Sequence, residues 1–270
     1  MASAPGLPPS AAILLVMGSV CSSEPGDYGF EGEGVHASGP THACIRGKAS
    51  IRSVNAMKLY AHPFSSYCQK VLISLYENAT PFEYRSLEDP SANAELASLW
   101  PLRRFPVLVD QGRTILETST IIEYLQIHHP GLVRLIPEGD AGIEVRMLDR
   151  VFDNYVMTPT QKVVLDQLRP EPDRDSYGVT EARGFLERIY AWLDQRLASR
   201  TWAAGDSFTL ADCAAAPSLF YADWAHRIPP AHTNLQAYRA RLLAHPSVVR
   251  AVNEARPYRN YFPLGAPDRD

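Results

Sequence analysis

Two patterns in the chain predict a small α/β unit followed by an all-helical unit. From Met57 to about His129, short apolar strands alternate with helical stretches, whereas after Pro137 apolar residues recur only at three- and four-residue steps. The Pro and Gly breaks between them place the division near residues 130–140, and no internal repeat is visible.

Met57 to Ala61 reads as the first strand. Ser66 to Asn78 reads as the first helix, because Val71, Leu72, Leu75 and Tyr76 share a helical face. Phe82 to Leu87 alternates as a second strand, and Ser91 to Trp100 is a short helix or turn. Pro106-Val107-Leu108-Val109 and Thr114-Ile115-Leu116 flank Asp110-Gln111-Gly112-Arg113, a hairpin connection. Thr118 to His128 closes the unit as a helix with Ile121, Ile122 and Leu125 on one face. Beyond it, Ile143 to Leu168, Gly178 to Ala198, Leu210 to Trp224 and Leu235 to Leu243 carry helical spacing, separated by clusters such as Arg169-Pro170-Glu171-Pro172.

At 270 residues, 46% hydrophobic and 21% charged, the chain has material for one large or two ordinary cores. A net charge of -4 provides no basic face for nucleic acid or an anionic membrane, so neither partner is expected. Cys21, Cys44, Cys68 and Cys213 lack paired spacing, which argues against a disulfide framework or zinc site and fits a reducing cytoplasm. His62, His128 and His129 form no ligand constellation, and no metal is expected. Residues 1–56, rich in Gly, Ser, Pro and Ala without periodicity, are expected to be a disordered extension. Within them Ala11 to Met17 resembles the core of a secretion signal, but no Lys or Arg precedes it, so export is the weaker reading. The alternative is an upstream extension of a protein whose working start is Met57.

Several residues carry chemistry. Ser65 stands where the first strand hands over, past Pro63, to the first helix; as N-cap it would stabilise that helix by about 1 kcal/mol. The unpaired N–H groups and dipole of the same helix end also suit an anion such as a thiolate. Phe105-Pro106 opens a strand with a residue that has no N–H for the ladder, a geometry that a cis bond resolves. Glu117-Thr118-Ser119 precedes an apolar helix and must supply its cap. Thr209 and Asp212 form a capping box of structural purpose, and Cys213 reads as a small buried hydrophobe.

Taken together and in this order, Ser65-x-x-Cys68, Phe105-Pro106-Val107 and Glu117-Thr118, followed by a helical unit, resemble the cytosolic glutathione S-transferase family, of the serine type near the theta and zeta classes and its bacterial members. The resemblance spans roughly residues 57–262. It implies a thioredoxin-like α/β domain (57–132) that binds glutathione, an all-α domain (138–262) that forms most of the electrophile pocket, a short tail (263–270) and a cytoplasmic homodimer. Glutathione would be a co-substrate, with no permanently bound cofactor. Ser65 falls at the family's catalytic hydroxyl. Phe105, before the expected cis-proline Pro106, would pair its backbone with the cysteinyl part of glutathione. The Glu117 carboxylate would take the γ-glutamyl ammonium, and Thr118, usually Ser in the family, the γ-glutamyl carboxylate. Arg104, or its neighbour Arg103, would reach the glycine carboxylate. The electrophile pocket would draw on Tyr67 and on the helical segment Phe152 to Met157, with Tyr155 its candidate residue and Tyr221 and Trp224 as further options. The beta and omega classes place a cysteine at or next to Ser65, so disulfide reduction is disfavoured here.

The leading expectation is conjugation of glutathione to a hydrophobic electrophile. Alternatives on the same scaffold are a glutathione-dependent isomerase or dehalogenase; Tyr67 interrupts the Ser-Ser-Cys run of zeta-like isomerases. A non-catalytic glutathione-binding or interaction protein is the alternative from another class.

Overall fold

The computed structural model describes residues 56–270, so the expectations for the N-terminal segment lie outside the described residues. Four strands, β1 (Lys58–Ala61), β2 (Glu83–Ser86), β3 (Val107–Asp110) and β4 (Arg113–Ile115), form one sheet in the order β2-β1-β3-β4. β1 pairs in parallel with β2, with Leu59 opposite Tyr84, and antiparallel with β3, with Leu59 opposite Leu108. A parallel pair needs a crossover, and α1 (Ser66–Glu77) supplies it. The β3–β4 hairpin turns on Gln111 and Gly112, both at positive φ (50° and 78°), as a two-residue turn matching strand twist requires. The helices α2 (Pro90–Leu99) and α3 (Thr118–His128) complete this unit.

The helical part begins with α4 (Gly139–Val151), continues through a π-helical turn (Phe152–Met157) into α5 (Thr158–Asp166), and adds α6 (Ser176–Arg196), α7 (Leu210–Ala225), α8 (Thr233–Ala244) and α9 (Pro246–Ala255). A 3-10 segment, Arg256–Tyr261, follows. Spacing alone predicts one unbroken helix from Ile143 to Leu168. The π-helical turn departs from that for a local reason: Pro159 has no N–H to offer the carbonyl four residues back, and its ring crowds that carbonyl. The N–H of Thr158 instead reaches the carbonyl of Asp153, five residues back, and the Thr158 hydroxyl donates to the same oxygen at 3.1 Å. The sequence reading did not anticipate α9, which starts on Pro246 and buries Val248, Ala251 and Val252.

α1 and α7 hold the two units together. Both are buried along nearly their whole length, and they pack on each other. The Tyr221 hydroxyl on α7 donates to the Phe64 carbonyl at 2.7 Å, and Gln69 on α1 donates to that hydroxyl (3.1 Å) and to the Pro63 carbonyl (3.0 Å). The turn from β1 into α1 is thereby clamped. At the other end of α7, the buried Asp212 carboxylate accepts from the Thr209 N–H (2.9 Å), the Ala203 N–H (2.9 Å) and the Tyr238 hydroxyl (2.6 Å), realising the capping box. Cys68 and Cys213 are buried and unpaired, and burial pushes the Cys68 thiol up to about 12, so both are packing groups.

His62, just after β1, is fully buried against Tyr258, with its Nε2 2.8 Å from Glu88 and its Nδ1 accepting the Phe64 N–H at 3.2 Å. Burial pushes its pKa below the ordinary value, and the Glu88 carboxylate offsets this only in part. A base whose folded pKa is depressed leaves the unfolded chain binding more protons at acid pH. Stability is therefore expected to fall as pH drops below about 6.5, the unfolded value. Urea midpoints at pH 7.5 and 5.5 check this: His62→Asn should lose less on acidification than the unaltered chain.

Candidate active site

A cleft of about 190 Å³ opens where the two units meet, lined from the α/β unit by Tyr67, Trp100, Arg104, Phe105, Pro106, Leu116, Glu117 and Thr118. The helical unit contributes Arg150, Asp153 and Asn154. The Phe105–Pro106 bond is cis, and it sets Phe105 at the cleft wall just ahead of β3. Of the two neighbouring arginines, Arg104 lines the cleft and Arg103 does not. Glu117 is the N-cap of α3, yet its side chain makes no capping hydrogen bond and its backbone sits at φ 64°, ψ 123°. A non-glycine residue held there costs on the order of 1–3 kcal/mol. A cap alone does not need that geometry. It leaves a carboxylate and the first N–H groups of α3 together at the cleft, with Thr118 buried beside them.

Ser65 does cap α1: its Oγ accepts the Cys68 N–H at 3.4 Å, which uses a lone pair and leaves the hydroxyl proton to donate. Its side chain, however, is 0% exposed and is not part of the cleft wall. Tyr67, two residues on, is at the wall, and burial together with nearby Asp153 raises its hydroxyl to about 12. At neutral pH Tyr67 is thus a neutral hydrogen-bond donor. Tyr155 lies off the cleft: the π-helical turn points its neighbours Asp153 and Asn154 inward, while Tyr155 is 47% exposed with its ring 5.9 Å from Phe185. Tyr221 and Trp224 are also absent from the wall. They are packed with Phe64, Phe220 and Phe262 in a buried aromatic cluster.

Behind the cleft is a group of charges that the sequence reading passed over. Lys70 on α1 is buried, with Nζ 2.5 Å from Asp149 and 2.7 Å from Asp153, and donates to Ser119 Oγ at 3.1 Å. Ser119 donates to Asp149 at 2.6 Å, and Arg150, at the cleft wall, bonds Asp149 and Asp153 at 2.7 Å each and also Ser119. Burial raises the Asp153 carboxyl against the pull of Lys70. Arg150 is held more firmly as a cation, since the carboxylates around it outweigh its own desolvation. A signal for this group was present in the sequence: Asp149 and Asp153, four apart, fall on the apolar face of an otherwise amphipathic helix, where unpaired carboxylates would not survive.

A four-stranded thioredoxin-like unit joined to an all-helical unit around such a cleft defines a two-domain, glutathione-transferase type of fold. Residues 59–132 match the family model described as the glutathione S-transferase N-terminal domain, and residues 177–241 match the one described as its C-terminal domain. The chain belongs to the glutathione S-transferase family. It is similar in structure to a glutathione S-transferase from Methylobacillus flagellatus kt with GSH bound, at TM-score 0.64 and 27% identity over 73% of this chain and 98% of that one. Among curated proteins it is 26% identical over 203 residues to a stringent starvation protein A homolog of Coxiella burnetii, covering 74% of this chain and 92% of that one. It is 29% identical over 177 residues to glutathione S-transferase F13 of Arabidopsis thaliana, covering 62% and 80%.

Lys70 shares with Arg150 the task of balancing two carboxylates, Asp149 buried behind the cleft and Asp153 at its wall. Lys70→Met, which keeps the stem's volume, is expected to destabilise the chain by about 3 kcal/mol, since a broken buried pair leaves charge uncompensated. A denaturant titration at pH 7 measures it.

Proposed function

We propose that the chain is a glutathione transferase that binds glutathione in the interdomain cleft and activates its thiol as a thiolate for attack on an electrophile. The observation that carries this reading is Glu117: a strained, uncapping carboxylate at a helix N-terminus, in a cleft that Arg104 also lines. A carboxylate, a helix N-terminus and a guanidinium on one cleft suit a peptide that carries an ammonium and two carboxylates. Glu117 would take the γ-glutamyl ammonium, Thr118 with the α3 N–H groups its carboxylate, Arg104 the glycine carboxylate, and the Phe105 backbone the cysteinyl unit. The similar structure with GSH bound supports glutathione as the co-substrate. The same reading takes the protein as a cytoplasmic homodimer without a permanent cofactor.

In this reading the sulfur lies over the N-terminus of α1 and accepts the Ser65 hydroxyl proton. A free thiol titrates near about 8.5, and lowering it by about two units raises the thiolate fraction at pH 7 about 25-fold, from about 3% to about three quarters. One or two charge-assisted hydrogen bonds in a sheltered site can supply that. The wall offered by the helical unit, Arg150, Asp153 and Asn154, is polar, which departs from the apolar pocket expected and favours an electrophile bearing a polar substituent.

Ultraviolet absorbance of the bound thiolate across pH tests the assignment. Ser65→Ala is expected to return the bound thiol towards about 8.5 and to lower kcat at pH 7 by up to about 25-fold, with Tyr67→Phe having little effect. The reverse result would assign the donor to Tyr67, the hydroxyl at the wall; no change in either variant would remove activation by a hydroxyl altogether. Glu117→Ala is expected to raise KM for glutathione about 10-fold or more, as loss of a charged contact does, measured at saturating electrophile. A second reading, glutathione binding without conjugation, draws on the burial of Ser65. Binding of glutathione with no turnover of any aryl halide, epoxide or peroxide would favour it.

A further inference from the structure

The turn that hands β1 over to α1 is closed by the side chain of its first residue. His62, Pro63, Phe64 and Ser65 form a tight turn in which the Ser65 N–H donates to the His62 carbonyl at 3.0 Å, with Pro63 at the second position, where its fixed φ fits. Asn, Asp and Ser are favoured at the first position, because a short side-chain acceptor there reaches the N–H two residues on. His62 does the same with Nδ1, which accepts the Phe64 N–H at 3.2 Å. Its own backbone N–H donates to Cys68 Sγ, inside the first turn of α1, at 3.5 Å.

Phe64 is buried, so its N–H has no water to turn to if Nδ1 is lost. The carbonyls of Pro63 and Phe64 are already held by Gln69 and Tyr221. Because an N–H donor faces Nδ1, that nitrogen carries no proton, and the ring hydrogen is on Nε2, donated to Glu88 at 2.8 Å. Tyr258 and Tyr261, from the 3-10 segment, cover the ring at 4.7 and 6.1 Å between centroids. Burial favours this neutral form. One tautomer of one side chain therefore fixes the backbone that leads into Ser65.

We propose that His62 is a positioning residue for thiol activation: through Nδ1 it fixes the turn that directs the Ser65 hydroxyl at the sulfur of bound glutathione. This role rests on the glutathione transferase reading above, and it is played from outside the cleft, whose wall does not include His62. Ser65 follows Phe64 directly, so a Phe64 N–H left without an acceptor lets the peptide ahead of Ser65 rotate. The hydroxyl then loses its direction while the γ-glutamyl and glycine contacts, on other elements, stay in place.

Asn and Gln separate the two ring nitrogens, since an Asn amide oxygen reaches the place of Nδ1 and a Gln amide the place of Nε2. Ultraviolet titration of the thiolate of glutathione bound to the full chain reads the effect. His62→Asn is expected to keep the bound thiol close to its value in the unaltered chain. His62→Gln is expected to raise it by about one unit and to lower kcat at pH 6 about 8-fold, with KM for glutathione little changed. In a Ser65→Ala background, His62→Gln should leave the thiol where Ser65→Ala alone puts it, because the effect passes through Ser65. Equal shifts in the Asn and Gln variants, no shift in His62→Gln, or a shift that persists without Ser65 would each overturn this role and leave the transferase reading standing. Absence of thiolate on glutathione bound to the unaltered chain would overturn both. If His62→Gln does not fold, His62→Asn decides alone: a bound thiol raised by about one unit there overturns the role.

Discussion

The ammonium of Lys70 is the group on which the arrangement of the two units depends. It projects, buried, from α1 across the seam between them and meets the buried Asp149 and the cleft-lining Asp153 of the helical unit. Such a group contributes little net stability, because desolvating its charges costs about as much as their attraction returns. What it imposes is register. If the helical unit slides against α1, buried charges lose their partners, and that outcome is expensive in a way that slipping apolar surfaces is not. Ser119 ties α3 into the same group, so one cluster orients α1, α3 and α4 together.

That orientation sets the cleft. Arg150 and Asp153 bond within the cluster and also form the wall, so the seam's structural charges border the proposed glutathione site. The π-helical turn makes this possible, because it turns Asp153 and Asn154 towards the cleft while leaving Tyr155 outside. Its cause, Pro159, lies two residues beyond its end. The second anchor is apolar: α7 brings Tyr221 to the Phe64 carbonyl and fixes the turn that carries Ser65. Ser65 is consequently fixed at the start of α1 and covered by its surroundings.

Much of this was legible in the sequence because it depends on neighbours along the chain. Alternation, helical spacing, the Gln111-Gly112 turn and the Thr209/Asp212 box are local, and each recurs in the structure close to its expected place. The order of the Ser65, Phe105-Pro106 and Glu117-Thr118 motifs was sufficient to indicate the family. Tyr155 shows where spacing fails: a helix wheel drawn at 3.6 residues per turn loses its phase at a π-helical turn, so an inward residue becomes an outward one. α9 is hard to separate from α8 by spacing, because only His245 stands between them and Pro246 serves as the first residue of the new helix.

The sequence by itself determined the two units, most of their elements, the caps and the Phe105-Pro106 and Glu117-Thr118 part of the cleft, since propensity, periodicity and turn chemistry act over a few residues. Only the tertiary structure decided that Arg104 and not Arg103 faces the cleft, that Lys70 meets Asp149 and Asp153, that Ser65 is covered, and that Glu88 and Tyr258 enclose His62. Each of these depends on which side chains meet across distances of tens of residues in the chain. Burial and charge pairing are properties of that meeting, and no local pattern encodes them.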